Sequence, residues 1–193
     1  MREVVANQAL DHKNLVKFIK TFSIQDGARY ISIMPYVPRT VADMLDQHYE
    51  IPLATIKVIA RSCFDALCHL HVKEFCFADL KPSNIMLPST EQGRVTLVDY
   101  GATVRIGSSI IEFTEQYCLD AKRCTASECL DWICLGTTLA QLAGFDISKF
   151  HRAVELSDAV SGSSKDDRLK KLIVSCLQNP SSSGIEHALR QFE

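Results

Sequence analysis

Apolar and polar positions alternate along "LVKFIKTFSIQDGARYISIMPYV" (residues 15–37), on both sides of Asp26-Gly27. That pattern predicts two strands joined by a turn, and residues 2–10 before it read as the end of a helix. From Thr55 the period changes: Ile56, Ile59, Ala60, Cys63, Phe64, Leu67 and Leu70 fall on one helical face. Ile85–Leu87 and Val95–Val98 are short apolar runs separated by "PSTEQGR", which predicts a small hairpin with Asp99 at its exit. Residues 102–124 carry no sustained period. Thr125 and Glu128 then have capping-box spacing ahead of "CLDWICLGTTLAQLAG", a segment apolar nearly all round and so expected as a buried central helix. "SGSSKDD" reads as a flexible connection, and Leu169, Leu172, Ile173, Cys176 and Leu177 follow the spacing of a surface helix that stops before Pro180. The predicted order is a helix, a few strands, then mostly helices.

Composition narrows the class. A chain of 193 residues with 47% hydrophobic content can bury one substantial core, and no repeat or composition shift marks a second independent domain. The formal charge of -2 comes from interspersed acids and bases, which argues against nucleic acid and anionic membranes as partners. The N-terminus lacks a secretory h-region and no apolar run approaches a membrane span, so a cytoplasmic, intracellular protein is expected. The eight cysteines contain no CxxC pair. Buried free thiols are the expected state, and the gaps in Cys118, Cys124, Cys129 and Cys134 do not match structural zinc spacing. His12, His69 and His71 are read as helix-end or packing residues.

Candidate chemistry concentrates in "FCFADLKPSNIML" (75–87). Asp79 offers a carboxylate that can orient a hydroxyl, Lys81 a cation for phosphate, and Asn84 an amide oxygen for a divalent ion. Asp99 can supply a second metal ligand. Each residue alone would be an ordinary turn or surface residue; their order and spacing are what carry the chemistry.

With "ADLKPSN", "DYG" (99–101) and the Leu70-His71 pair ahead of the loop, the chain resembles the eukaryotic protein kinases. The resemblance implies an α+β fold of the protein-kinase type, mostly its α-helical C-terminal lobe. Residues 1–34 would be a remnant of the N-terminal lobe, 35–38 the hinge and 39–193 the C-terminal lobe. By position, Asp79 resembles the catalytic base, Lys81 the residue that steadies the transferred phosphate, and Asn84 and Asp99 the Mg2+ ligands. Lys81 also favours a Ser/Thr-type enzyme. Met34, Pro35 and Val37 fall at the gatekeeper and adenine-binding hinge for ATP, where Pro35 still offers a carbonyl. Thr114 and Tyr117 fall in the substrate-side loop, Asp131 resembles the buried acid that braces the catalytic loop, and Glu3 the regulatory-helix acid that pairs with a strand Lys.

Several departures accompany the resemblance. No Gly-rich loop or strand Lys occurs, so an N-terminally truncated sequence is expected, with a missing N-lobe segment or further domains beyond it, and poor activity of this chain by itself. Phe77 and Ala78 replace a His and an Arg of the loop, Tyr100 replaces a Phe, and the family's Glu-Arg brace becomes Asp120 or Ala121 with Ser183. Ala78 removes the Arg that would receive an activation-loop phosphate, so control through Ser108, Ser109 or Thr114 is disfavoured. The expected function is phosphoryl transfer from ATP to a protein Ser or Thr. A pseudokinase or scaffold is the alternative, followed by a small-molecule phosphotransferase.

Overall fold

The computed structural model describes residues 10–24, 29–36, 38–47, 50–87, 94–120 and 125–193. The predicted N-terminal helix, the Asp26-Gly27 turn, Glu3, Val37, Ala121 and Cys124 lie outside the described residues.

Strands β1 (Lys20–Ile24) and β2 (Arg29–Ile33) pair antiparallel with Phe22 opposite Ile31 and Lys20 opposite Ile33. The period of two puts Phe22, Ile24, Ile31 and Ile33 on one face. That face is open to solvent: Phe22 is 40% and Ile31 51% exposed. Among the described residues, the stretch just before β1 bonds to the rest of the molecule. Leu97 N–H donates to the Asn14 carbonyl at 2.8 Å, Val16 N–H donates to the Leu97 carbonyl at 2.9 Å, and Asn14 Nδ2 reaches the Val95 carbonyl at 2.7 Å. His12 stacks on His69 with ring centroids 5.0 Å apart. Burial lowers the pKa of both imidazoles.

Strand β3 (Arg39–Thr40) leads into helix α1 (Val41–Asp46) through a capping box, in which Asp43 N–H donates to Thr40 Oγ1 at 3.1 Å. Helix α2 (Leu53–Val72) buries the face the sequence predicts, with Ile59, Cys63, Leu67 and Leu70 fully buried. Strand β4 (Phe75–Cys76) follows, then a short 3-10 turn at Pro82–Asn84 and strands β5 (Ile85–Leu87) and β6 (Thr96–Leu97). β5 lies between β3 and β6, with Ile85 opposite Leu97, so the predicted hairpin forms. Strand β7 (Val104–Arg105) pairs with β4 inside a region that has no sequence period.

Helix α3 (Glu128–Leu142) is the buried central helix; Asp131, Trp132, Cys134, Thr137, Thr138 and Leu139 have no exposed surface. Its cap differs from the expected Thr125. Ser127 Oγ accepts from Leu130 N–H at 3.4 Å, while Thr125 forms a bridge with Ser109. The backbone leaves Thr125 in an extended ladder, where its side chain is not placed to cap. At Gly136, α3 meets α5 (Asp167–Leu177) so closely that an added Cβ would lie 2.8 Å from Cys176 Cβ. Between them runs α4 (Ala153–Ser161), and α6 (Ser182–Phe192) closes the chain by burying Ile185, Leu189 and Phe192. The "SGSSKDD" connection is an ordered cap: Asp166 Oδ1 accepts from the N–H groups of Arg168 and Leu169.

Candidate active site

The loop between β4 and the 3-10 turn is hung from α3. The Asp131 carboxylate accepts from Phe77 N–H at 2.9 Å, from Ala78 N–H at 2.8 Å and, at 2.8 Å, bonds His71 Nε2. A buried charge without partners is costly, and three hydrogen bonds meet that cost here. His71, read from sequence as a packing residue, is thus part of the brace, and it packs edge-on against Trp132. Ala78 has φ +67°, a backbone region that residues with a Cβ avoid, and the Asp131 bond helps hold it there.

Phe77 and Tyr100 are fully buried and meet edge to face, with centroids 6.3 Å apart, and Phe18 meets Tyr100 in the same way at 6.1 Å. The Tyr100 hydroxyl donates to the Val16 carbonyl at 2.8 Å. Phe77 therefore substitutes ring packing for the expected His, and Tyr100 adds a hydroxyl that finds a backbone acceptor. Both departures are accommodated structurally.

Asp79 is the centre of the polar cluster. Its Oδ1 accepts from Thr114 N–H at 3.0 Å and Thr114 Oγ1 at 2.7 Å. Its Oδ2 takes Lys81 Nζ at 2.6 Å and Asn84 Nδ2 at 3.3 Å. Lys81 Nζ also donates to Thr114 Oγ1 at 2.8 Å, so Asp79, Lys81 and Thr114 form a closed ring of hydrogen bonds. The side chains of Asp79 and Lys81 retain 13% and 23% of their exposure, enough for the cluster to meet a reactant from solvent.

Asn84 is buried and its Nδ2 is spent on the Asp79 carbonyl at 2.9 Å, which leaves its amide oxygen facing away from that bond with the Ser83 hydroxyl at 3.5 Å. Val98 N–H donates to the Asn84 carbonyl at 3.0 Å, which sets Asp99 beside the same strand end. Asp99 is exposed, has φ +67° and accepts Gly101 N–H on Oδ1. An amide oxygen and a carboxylate at adjoining strand ends are hard donors that fit a divalent cation such as Mg2+.

Tyr117 donates its phenol to Gln141 Oε1 at 2.7 Å, tying the segment that follows β7 to the end of α3, and burial pushes the phenol's pKa up, so it stays a donor. Ahead of it, residues 104–109 are pinned by main-chain bonds: Gly107 N–H to the Ala126 carbonyl at 2.9 Å and Ala126 N–H to the Ser108 carbonyl at 2.8 Å. The altered brace has a different partner: Asp120 Oδ2 accepts Ala153 N–H at 2.9 Å and so caps α4. Met34 and Pro35 are exposed after β2, apart from these bonds. Of the cysteines in the candidate zinc set, Cys118 and Cys134 meet at 3.2 Å, while Cys129 is exposed. Sequence reasoning missed Gln141 and the Thr114–Asp79 pairing, since neither leaves a local signal.

A helical lobe whose central helix suspends an Asp-x-Lys-x-x-Asn loop is the architecture of phosphotransferases of the kinase type. The sequence profile described as the protein kinase domain matches residues 1–183, and the chain belongs to that family, the eukaryotic protein kinases. Similar proteins include Protein kinase gsk31 of Schizosaccharomyces pombe, 30% identical over 109 residues that make up 52% of this chain and 28% of that protein. Probable serine/threonine-protein kinase glkA of Dictyostelium discoideum is 27% identical over 103 residues, 52% of this chain and 21% of its own length. Serine/threonine-protein kinase RUNKEL of Arabidopsis thaliana is 31% identical over 107 residues, 55% of this chain and 8% of that protein. The matched stretch thus spans less than a third of each relative.

Proposed function

We propose that the chain carries the catalytic and substrate-side part of a Ser/Thr protein kinase that moves the γ-phosphate of ATP to a protein hydroxyl. The observation that supports this best is the closed Asp79–Lys81–Thr114 ring. It holds a carboxylate where it can orient an incoming hydroxyl and accept its proton. It also holds an ammonium beside that carboxylate to offset charge on the transferred group. Asn84 and Asp99 would hold Mg2+, which when bound offsets phosphate charge. Met34, Pro35 and Val37 would line the adenine end, and Glu3 would face a strand Lys; the division at 1–34, 35–38 and 39–193 belongs to the same proposal.

The substrate is a protein; nucleic acid and membrane are not proposed as partners. Among the described residues no helix is long and apolar enough to cross a membrane. The seven free cysteines of the described residues favour a reducing, cytoplasmic setting. A scaffold has no chemical use for Asp79, Lys81, Asn84 and Asp99 together, and the Ser/Thr kinase relatives do not favour the small-molecule reading.

The test is transfer of labelled phosphate from Mg-ATP to protein substrates, comparing the chain in its full-length protein with the Asp79→Asn variant. The expected result is transfer by the first and a loss of about a hundredfold or more in the second. A folded, ATP-binding protein that labels no substrate would overturn the proposal.

A further inference from the structure

We propose that Cys118 is a positioning residue for the transfer reaction: its thiol, backed by Cys134, donates to the Ala78 carbonyl and fixes the peptide that carries Asp79. This rests on the function proposed above, but the geometry that carries it is independent of that function.

The Ala78–Asp79 peptide starts from a residue with φ +67° and no exposed surface. Its orientation has to be imposed by partners. The N–H of Ala78 is held by Asp131 Oδ1 at 2.8 Å. The carbonyl of Ala78 lies 3.7 Å from Cys118 Sγ, a distance suited to a weak S–H···O bond. A carbonyl cannot donate, so the proton in that contact belongs to Cys118. Cys134 Sγ lies 3.2 Å from Cys118 Sγ, and with the Cys118 proton committed, Cys134 must supply its own to the Cys118 sulfur. The result is a directed relay from Cys134 through Cys118 to Ala78.

Both thiols are buried, at 2% and 0% exposure. The hydrogen bond with Cys118, and then burial, push the Cys134 thiol well up, so it keeps the proton the relay needs. Cys134 sits three residues beyond Asp131 on α3. The one helix therefore grips Ala78 at both ends, its N–H through the carboxylate and its carbonyl through the two sulfurs. Cys118 also belongs to the segment that presents Thr114 to Asp79 and Tyr117 to Gln141. The relay ties the substrate-side segment to the catalytic loop at a second point, besides the Thr114–Asp79 pair.

The experiment compares Cys118→Val, which removes the donor and stays apolar at the cost of one added heavy atom, with Cys118→Ser, which keeps a donor. Three readouts are taken: kcat and KM for ATP, hydrogen exchange at the Asp79 amide, and the infrared S–H stretching band. In Cys118→Val, kcat should fall roughly two- to fivefold with KM for ATP unchanged, as expected for a weak donor. The Asp79 amide should exchange faster. Cys118→Ser should recover both. The Cys118 S–H band, identified among the eight thiols as the band lost in Cys118→Ser, should lie at lower frequency than a free thiol, and the Cys134 band should move back in Cys118→Val. Equal behaviour of the Val and Ser variants, or wild-type bands at the free-thiol position, would overturn the proposal. If the wild-type protein transfers no phosphate, the kinase reading fails; the exchange and infrared results still decide whether Cys118 holds the Ala78 carbonyl.

Discussion

Thr114 lies in the same segment as Ser108 and Ser109, but its chemistry differs from theirs. Its Oγ1 accepts from Lys81 and donates to Asp79 at 2.7 Å. Ser108 and Ser109 contribute through backbone pairing with Ala126 and Thr125. Replacing all three at once would mix two effects. In a transfer assay, Ser108→Ala with Ser109→Ala should leave kcat within about twofold, because residues 104–109 are held by main-chain bonds that neither substitution removes. Thr114→Ala should lower kcat by about ten- to a hundredfold by loosening Asp79 and Lys81, and Thr114→Ser should restore most of it. A large loss from the serine pair would restore phosphorylation of that segment as a control. Tyr100 permits a stability test at the same scale. Tyr100→Phe removes the donor to the Val16 carbonyl while keeping both ring contacts. The expected cost is about 1 kcal/mol in chemical denaturation, and a neutral result would mean that solvent or a neighbour replaces the bond.

At the scale of elements, packing decides more than propensity does. Gly136 shows this: Ala is the better helix former by about 1 kcal/mol, yet its Cβ would press on Cys176 Cβ at 2.8 Å and on Leu177. Overpacking of this kind costs about 1–3 kcal/mol, so Gly136→Ala should lower the denaturation midpoint, most of the loss coming from the α3–α5 contact. An unchanged midpoint would mean that the two helices slide apart freely. The long helices were legible in the sequence, α2 and α5 because each buries a periodic face over several turns and α3 because it is apolar nearly all round behind a cap signal. Strands β4 and β7 were not, since two residues carry no period and their pairing of Phe75 with Arg105 joins positions far apart in the chain. Helix α4 is short and α6 begins with Ser-Ser-Gly, so local signals for both are weak. The same limit governs the site. The order Asp79, Lys81, Asn84, Asp99 is visible in sequence, whereas the bonds of Thr114, Gln141, Cys118 and Tyr100 exist only once distant segments meet.

For the whole molecule, Arg61 on α2 is the residue that binds the end of the described chain to its middle. Its guanidinium reaches Glu186 at 3.0 Å and also pairs with Glu193, 125 and 132 residues further on. These carboxylates raise the pKa of Arg61 above its ordinary value, so it stays charged across the working range. The hydrogen bond from Arg190, with Arg61 adding to it, holds the Glu186 carboxyl below its usual pKa, and Arg61 does the same for Glu193. Between the depressed and the ordinary values the unfolded chain binds more protons than the folded one. The stabilisation is therefore fully present above the ordinary glutamate range and is lost as pH falls through the folded-state values. All three side chains are partly exposed, so solvent screening limits the contribution to about 1 kcal/mol. In denaturation experiments from neutral to acid pH, Arg61→Met should be less stable than the wild type by about that amount at neutral pH. The gap should close as the carboxyls protonate, because the acid then removes what the substitution has already removed. Curves that stay parallel down to acid pH would show that Arg61 acts through packing on Phe64, 5.8 Å from its ring centre, and not through charge.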